Sequence, residues 1–185
     1  MARIVLVTGG CRSGKSAHAQ KMAEGLPGRR AFVATCPPLD DEMRARIRRH
    51  REARERSQRI DDQMEWHTIE EEIDLPGVVR GAQGYDVLLI DCLTLWVNNL
   101  MYEAEKEGRQ VEEAEVERRC RDLLSACAER PGAVIFVTNE VGMGIVPDNP
   151  ASRRFRDLAG RCNEVMGAGA DEVILLVCGI PMRVK

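Results

Sequence analysis

A glycine-rich segment near the N-terminus has the composition of a phosphate-binding loop. Residues 9–16 read GGCRSGKS and match the pattern G-x-x-x-x-G-K-S. An apolar run, Ile4–Val7, precedes this segment, and the residues from Ser16 onwards are typical of a helix start. A strand, a glycine turn and a helix N-terminus direct successive backbone N–H groups at an anion, and the helix dipole adds to the attraction. The pattern predicts nucleoside triphosphate binding; a glycine-rich turn that binds nothing is the alternative.

Two side chains of this loop would act directly on the phosphates. Lys15 is expected to reach the β- and γ-phosphates, and the Ser16 hydroxyl is expected to bind Mg²⁺. A second apolar run, Val87–Asp91, ends in a carboxylate. An aspartate at that place can hold the same Mg²⁺ through water beside Ser16. An apolar strand that ends in Asp is common, but its pairing with a phosphate loop favours a metal role for Asp91.

A basic segment carries a histidine in a helical pattern. Residues 40–54 read DDEMRARIRRHREAR, and the spacing of Met43, Ile47 and His50 places His50 on the apolar face of a helix. Flanking cations would attract a phosphate, and a neutral imidazole nitrogen can attack phosphorus. Alternatively, His50 is a packed, hydrogen-bonded histidine, and the arginines are a solvated face or a weak nucleic-acid patch.

A further glycine-rich segment follows a predicted strand. Residues 138–147 read TNEVGMGIVP. In open α/β sheets, ligands bind beyond the carboxyl ends of the strands. This loop is therefore expected to meet the phosphates or a second substrate, and a turn that only reverses the chain is the alternative.

The elements around these segments indicate an α/β fold. The candidate strands are Arg3–Thr8, Arg30–Thr35, Val87–Asp91, Val134–Thr138 and Glu172–Val177. Their near-continuous apolar character is typical of a parallel sheet that is buried on both faces. We expect a three-layer P-loop NTPase fold, with a mostly parallel central sheet and helices on both faces.

Two helices are predicted from their periodicity. Val111–Arg130 places Val116, Cys120, Leu123, Leu124 and Cys127 on one face, and Ala151–Met166 places Phe155, Leu158, Cys162 and Val165 inward. Two polar segments, Arg56–Glu65 and Glu103–Gln110, are predicted as exposed loops.

Composition sets limits on the class of protein. The chain has 185 residues, of which 44% are hydrophobic, and residues 1–185 are expected to form one domain. The net charge of −3 does not indicate binding to nucleic acid or to a membrane surface. No signal peptide is visible and no apolar run approaches the ~20 residues of a membrane span, so we expect a cytoplasmic protein. The seven cysteines include no C-x-x-C pair, which argues against a zinc site and favours a reduced compartment.

Four longer signatures identify a family. They read TGGCRSGKS, ATCPPLDDEMRARIRRHREAR, LLIDCLTLWVNNL and VTNEVGMGIVPDNPASRRFRDLAGRCNE, and the similarity continues to the C-terminal ADEVILLVCGIPMRVK. With them the chain resembles the bifunctional adenosylcobinamide kinase / adenosylcobinamide-phosphate guanylyltransferase family of cobalamin biosynthesis. The segments TNEVGMGIVP and DDEMxxRIxxHRxxR are far more specific than a P-loop.

The resemblance implies two reactions and several ligands. A nucleoside triphosphate first phosphorylates adenosylcobinamide, and GMP from GTP is then transferred to adenosylcobinamide phosphate with release of pyrophosphate. The family's second step passes through a guanylylated histidine, which corresponds to His50 here. GTP and ATP are the implied substrates and Mg²⁺ the implied cofactor. A homo-oligomer, as a propeller-like trimer, is implied as well, with no nucleic-acid partner.

The resemblance also implies particular site residues. His50 and Lys15 would be catalytic, and Ser16 and Asp91 would serve the metal. The implied nucleotide contacts are Gly9, Gly10, Cys11, Arg12, Ser13, Gly14, Lys15, Ser16, Ala34, Thr35, Cys36, Arg51, Glu52, Ala53, Arg54, Glu70 and Asp91. Asn99, Asn139 and Glu140 match further family positions without an assigned step.

The chain departs from the family pattern in a few places. Cys11 replaces the usual Ala and Cys36 the usual Ser or Gln-rich turn, whereas Arg49 stands where some members carry a second histidine. The stretch before Trp66 is also longer than expected. Three other functions remain open from the residues: a P-loop kinase for another small hydroxyl compound, a cobinamide kinase without the transfer activity, and a non-catalytic nucleotide switch.

Overall fold

The computed structural model describes residues 1–37 and 66–185. The strands are β1 (Arg3–Gly9), β2 (Arg30–Ala34), β3 (Trp66–Glu70), β4 (Val87–Asp91), β5 (Ala133–Val137), β6 (Glu172–Val177) and β7 (Ile180–Arg183). The helices are α1 (Lys15–Glu24), α2 (Leu75–Gly81), α3 (Leu93–Lys106), α4 (Glu113–Ala128) and α5 (Pro150–Gly169).

The strands form one seven-stranded sheet in the order β3-β2-β4-β5-β1-β6-β7. Strands β1 to β6 all run in the same direction, and β7 is antiparallel to β6. Because β5 lies between β1 and β4, the glycine-rich loops after β1 and β5 and the acidic end of β4 all reach the same edge of the sheet.

Alternate residues of the strands face two separate cores. Within the described residues, Ile135 and Val137 of β5 pack with Ala19 and Ala23 of α1 on one face. Val134 and Phe136 face the larger core on the other side, to which helices α2 to α5 contribute. This two-residue alternation is the geometry of a strand covered by helices on both faces. The predicted three-layer α/β fold with a mostly parallel sheet is confirmed.

Local sequence explains where the last long helix begins. Asn149 caps α5, because its side chain accepts a hydrogen bond from the backbone N–H of Ser152 at 3.1 Å, and Pro150 follows at the first helical position. The cap ends the glycine-rich loop after β5 at a defined place. Both predicted amphipathic helices are present, as α4 and α5.

The end of α3 and the two edge strands differ from the expectation. Glu103–Gln110 was expected to be a loop, but α3 extends to Lys106, since Ala104 is fully buried in the core and Lys106 pairs with Glu103 at 2.7 Å. The edge strands β3 and β7 were not predicted, because neither contains an apolar run. The predicted loop Arg56–Glu65 lies outside the described residues.

No described helix combines the length and the apolar character that a membrane crossing requires.

Candidate nucleotide site

The glycine-rich segment 9–16 leaves the carboxyl end of β1 and enters α1, as the motif requires. Gly9 has a φ of 151°, and a Cβ at this position would stand 2.6 Å from the backbone oxygen of Leu176. Gly14, at the start of α1, has a φ of 92°. Both positions therefore need glycine, for close approach of the neighbouring strand at Gly9 and for a left-handed backbone at Gly14.

Lys15 lies inside this loop and is 8% exposed. Its Nζ donates a hydrogen bond to the backbone oxygen of Gly10 at 2.9 Å, across the turn that the Ser13 N–H closes on the same oxygen at 3.3 Å. A lysine held over the loop in this way places its charge where phosphate oxygens would meet the backbone N–H groups. Cys11 and Arg12 form the exposed tip of the turn.

Two buried hydroxyls next to the loop have no hydrogen-bond partner among the described residues. They are the Oγ of Ser13 and the Oγ1 of Thr8. Buried polar atoms are nearly always paired in native proteins. The Ser13 hydroxyl is therefore available to a bound anion, which fits the role of a phosphate cradle.

Asp91 stands at the carboxyl end of β4, in register with Val137 of β5, which in turn pairs with Val7 of β1. Asp91 is half-buried and lies on the same face of β4 as Val87 and Leu89. Those two residues belong to the core that contains Ala19 and Ala23 of α1. Asp91 thus shares a face of the sheet with α1, the helix that carries Lys15 and Ser16. Burial raises the pKa of the neighbouring Cys92 thiol to about 12; Asp91 adds to the rise and Lys15 opposes it, so both charges act on this position.

The residues after β2 support the acidic strand end. Thr35 is fully buried, and its hydroxyl donates to the backbone oxygen of Cys92 at 2.9 Å and accepts from the Cys92 N–H at 2.7 Å. The backbone oxygen of Thr35 accepts from Nδ2 of Asn99 at 2.8 Å. The polar atoms of Thr35 are thus used within the protein, and it bears on the nucleotide site through the position of Asp91–Cys92. Ala34 and Cys36 are half-buried beside it.

Glu70 is the most distant of the described candidates. It ends β3 in register with Ala34, and β3 is four strand positions from β1. At about 4.8 Å per strand, this separation is roughly 19 Å. The described structure therefore does not bring Glu70 to the phosphate loop. His50, Arg51, Glu52, Ala53 and Arg54 lie outside the described residues.

A buried polar network fixes the end of β5 and was not predicted. The Thr138 hydroxyl lies 3.2 Å from that of Thr94 and donates to Oδ1 of Asn163 at 2.7 Å. Nδ2 of Asn163 donates to the backbone oxygen of Asn139 at 3.0 Å, and the Asn139 N–H donates to the Thr94 hydroxyl at 2.7 Å. The network positions Asn139 between the phosphate loop and the strand of Asp91. The sequence feature that could have indicated this network is the presence of polar residues, Thr94 in α3 and Asn163 in α5, among the apolar positions of the two helices.

The fold and this edge of the sheet define a P-loop nucleotide-binding protein. Two solved structures share the architecture at low identity. The flagellar accessory protein FlaH from Methanocaldococcus jannaschii aligns with a TM-score of 0.54 and 13% identity, covering 99% of this chain and 78% of that chain. A KaiC-like protein from Pyrococcus horikoshii aligns with a TM-score of 0.50 and 17% identity, covering 94% of this chain and 70% of that chain.

The chain belongs to the cobinamide kinase / cobinamide phosphate guanyltransferase family, whose model matches residues 5–184. It is 41% identical to the bifunctional adenosylcobalamin biosynthesis protein CobU of Salmonella typhimurium, over 98% of this chain and 99% of that protein. It is 36% identical to the bifunctional protein CobP of Pseudomonas aeruginosa, over 97% and 96% of the two chains. The chain is therefore an enzyme of the kinase and nucleotidyltransferase type.

Proposed function

We propose that this protein phosphorylates adenosylcobinamide with a nucleoside triphosphate and then transfers GMP from GTP to adenosylcobinamide phosphate. The observation that carries the proposal is the combination of family membership with a complete phosphate loop: Gly9 and Gly14 in the conformations the loop needs, and Lys15 buried over it. As a single domain, residues 1–185 would perform both steps.

In the kinase step, the hydroxyl oxygen of the aminopropanol arm attacks the γ-phosphorus. The bond from the γ-phosphorus to the β–γ bridging oxygen breaks, the nucleoside diphosphate leaves, and the hydroxyl proton passes to solvent. Charge spreads over the phosphate oxygens in such a transition state, so positioning and charge neutralisation supply most of the catalysis. Lys15 and the N–H groups of residues 10–16 would provide both.

In the transfer step, His50 would act as the nucleophile. A neutral imidazole nitrogen attacks the α-phosphorus of GTP, the bond to the α–β bridging oxygen breaks, and pyrophosphate leaves. A phosphate oxygen of adenosylcobinamide phosphate then attacks the same phosphorus, the N–P bond breaks, and His50 is restored. The role of His50 comes from its place in the motif RIxxHR.

The residues at the edge of the sheet fit a magnesium ion. Mg²⁺ in phosphoryl-transfer sites is usually held by one or two protein oxygen ligands, together with phosphates and waters. Among the described residues, no group of three or more His, Cys, Asp or Glu side chains forms a metal cage, and Ser16 and Asp91 supply two oxygen donors on one face. When bound there, the ion would neutralise charge on the phosphates.

The proposed homo-oligomer, for which a trimer is the expected form, is supported by the edge strand β7. Ile180 and Met182 of β7, and Val184 just after the strand ends, are 65%, 53% and 65% exposed. An exposed apolar strand at a sheet edge is typical of a surface that another chain covers. We also propose a cytoplasmic location, which is consistent with seven cysteines that form no C-x-x-C pair.

Labelling with GTP that is radioactive at the α-phosphate tests the proposal. The denatured protein should retain a label that survives base and is lost in acid, as a phosphoramidate is. The label should disappear in His50→Ala and persist in the control His67→Ala, whose exposed ring stacks on Tyr85 at 5.6 Å. Absence of label in the wild type would refute the transfer step, and absence of cobinamide-dependent nucleoside diphosphate release from both GTP and ATP would refute the kinase step.

A further inference from the structure

The loop after β5 presents an uncharged, aliphatic surface next to the phosphate loop. Residues 141–147 read VGMGIVP and contain no charge, in a chain with 31% charged residues. Met143, Ile145 and Val146 are 82%, 96% and 58% exposed. Clusters of exposed large aliphatic side chains mark contact surfaces more often than isolated ones do. We call these three side chains the aliphatic crown.

Hydrogen bonds on both sides hold the crown in place. Before it, the Glu140 N–H donates to the backbone oxygen of Gly9 at 3.1 Å, and the Gly142 N–H donates to Oε1 of Glu140 at 2.9 Å. The first bond continues the parallel ladder of β5 with β1, because the Thr138 N–H donates to the oxygen of Val7 at 3.0 Å. The crown therefore begins three residues beyond a direct bond to the phosphate loop.

Arginines of α5 hold the backbone on both sides of the crown. Nη2 of Arg156 donates to the oxygen of Gly142 at 2.6 Å, and Nη1 of Arg153 donates to the oxygens of Pro147 and Asp148 at 3.0 and 2.7 Å. These cations are thereby occupied with loop carbonyls. The loop is fixed at its ends while its apolar side chains face outward.

The uncharged, apolar character of the crown favours contact with the corrinoid over contact with the nucleotide. A nucleotide is polyanionic and needs N–H groups and cations, which the phosphate loop supplies and the crown lacks. Cobinamide presents a broad corrin ring with methyl groups and neutral amide arms, which suits apolar contact together with exposed backbone of the kind that Gly144 offers. We infer that Met143, Ile145 and Val146 form the contact surface for the corrin ring, and this inference rests on the proposed function.

The crown lies where such a ring would be useful. The bond from the Glu140 N–H to Gly9, three residues before the crown begins, places the start of this loop at the edge where the γ-phosphate would be held. A corrin ring resting on the crown would bring its flexible aminopropanol arm to that phosphate. The same contact would serve the second step, since the ring is unchanged when the arm carries a phosphate.

Equilibrium dialysis of adenosylcobinamide, followed by its visible absorbance, tests the inference in the full-length protein. Ile145→Ser should weaken corrinoid binding about tenfold or more, because the variant loses the apolar area that the ring would bury on the aliphatic side chain. The affinity for GTP and the sedimentation mass should stay unchanged. Tyr102→Ser, which truncates a large side chain of α3 that is 50% exposed, is the control and should bind the corrinoid as the wild type does.

Two results would overturn the inference. Ile145→Ser could bind adenosylcobinamide as tightly as the wild type, or its sedimentation mass could fall, which would make the crown a contact between subunits. A different result concerns the proposed function alone: if the wild type binds the corrinoid through Ile145 but transfers no phosphate to it, the crown assignment stands and the kinase assignment fails.

Discussion

The hydroxyl of Thr35 forms two hydrogen bonds with the backbone of one residue, Cys92, 57 positions further along the chain. It accepts from the Cys92 N–H at 2.7 Å and donates to the Cys92 oxygen at 2.9 Å. Cys92 follows Asp91 directly and begins the approach to α3. The end of β2 thus fixes the direction in which the chain leaves the acidic strand.

Thr35→Val should destabilise the protein by about 2 kcal/mol, because the isosteric change leaves the buried N–H of Cys92 without a partner. The Cys92 oxygen also loses the Thr35 bond and keeps only the bond from the Trp96 N–H at 3.1 Å. Urea unfolding measures this loss. Thr68→Val, on the half-buried edge strand β3, is the matched control and should stay within about 0.5 kcal/mol of the wild type. Equal stabilities for the two variants would show that the Thr35 bonds contribute little.

Lys15→Ala should lower both activities roughly 100-fold or more, the usual cost of removing a donor that stabilises transition-state charge. The fold should be retained, because the lysine serves the loop and not the sheet. Steady-state rates of GDP and pyrophosphate release measure the effect. Lys21→Ala removes an exposed lysine from the same helix and should leave both rates unchanged; full activity in Lys15→Ala would exclude the phosphate role.

Asp91→Asn should raise the Mg²⁺ concentration needed for half-maximal kinase rate roughly tenfold or more, because a charged oxygen donor near the metal is lost. A titration of the kinase rate with Mg²⁺ measures this shift. Asp148→Asn changes an exposed carboxylate whose backbone, and not its side chain, binds Arg153. If both variants follow the wild-type curve, Asp91 has no part in metal binding.

Alkylation should separate the cysteines by exposure and by pKa. Burial raises the pKa values of Cys92 and Cys127 to about 12, so neither forms an appreciable thiolate at pH 8, while Cys11 and Cys178 are exposed. Mass spectrometry after iodoacetamide treatment should find label on the two exposed cysteines only, and GTP should slow the labelling of Cys11. Rapid labelling of Cys92 in the native protein would contradict its buried position.

An ion pair between helices α4 and α5 should make stability depend on acid pH. The Arg161 guanidinium holds the pKa of Glu117 below its usual value of 4.5, with Arg121 contributing as well. Because the pKa of Glu117 is lower in the folded than in the unfolded protein, the ionised carboxylate stabilises the fold fully above pH 4.5. This stabilisation is lost as the pH falls through the folded-state pKa. Lowering the pH therefore removes this stabilisation from the wild type, whereas Glu117→Gln lacks the carboxylate and has no such stabilisation to lose.

The difference in urea midpoint between wild type and Glu117→Gln should accordingly be largest at neutral pH and vanish in acid. Glu164→Gln removes a more exposed partner of the same arginine, 69% exposed against 22% for Glu117, and should show a smaller difference. A difference that is constant from neutral pH to acid would contradict the ion-pair explanation.

The interior strands of the sheet were predictable because burial on both faces requires a run of apolar residues, which is visible in the local sequence. Every residue of β5 is buried, so its sequence AVIFV is uniformly apolar and reads as a strand covered on both faces. The edge strands contain no such apolar run. All four residues of β7 are exposed and include Pro181, and in β3 only Trp66 is buried.

The phosphate loop was predictable for a related reason, since its chemistry is contained in eight consecutive residues. The network that joins Thr94, Thr138 and Asn163 spans 69 positions. No local pattern specifies which polar residues of two helices will meet above a particular strand. The same holds for Thr35, whose buried hydroxyl faces a residue 57 positions away.

The turn between β6 and β7 touches the phosphate loop through one bond, in which the Gly179 N–H donates to the oxygen of Ser13 at 3.0 Å. In an isotope-labelled sample, the amide resonance of Gly179 would consequently act as a built-in sensor of ligand occupancy, requiring neither a dye nor a mutation. Glycine amides are well dispersed in two-dimensional spectra, so a titration could follow filling of the site from the opposite end of the chain.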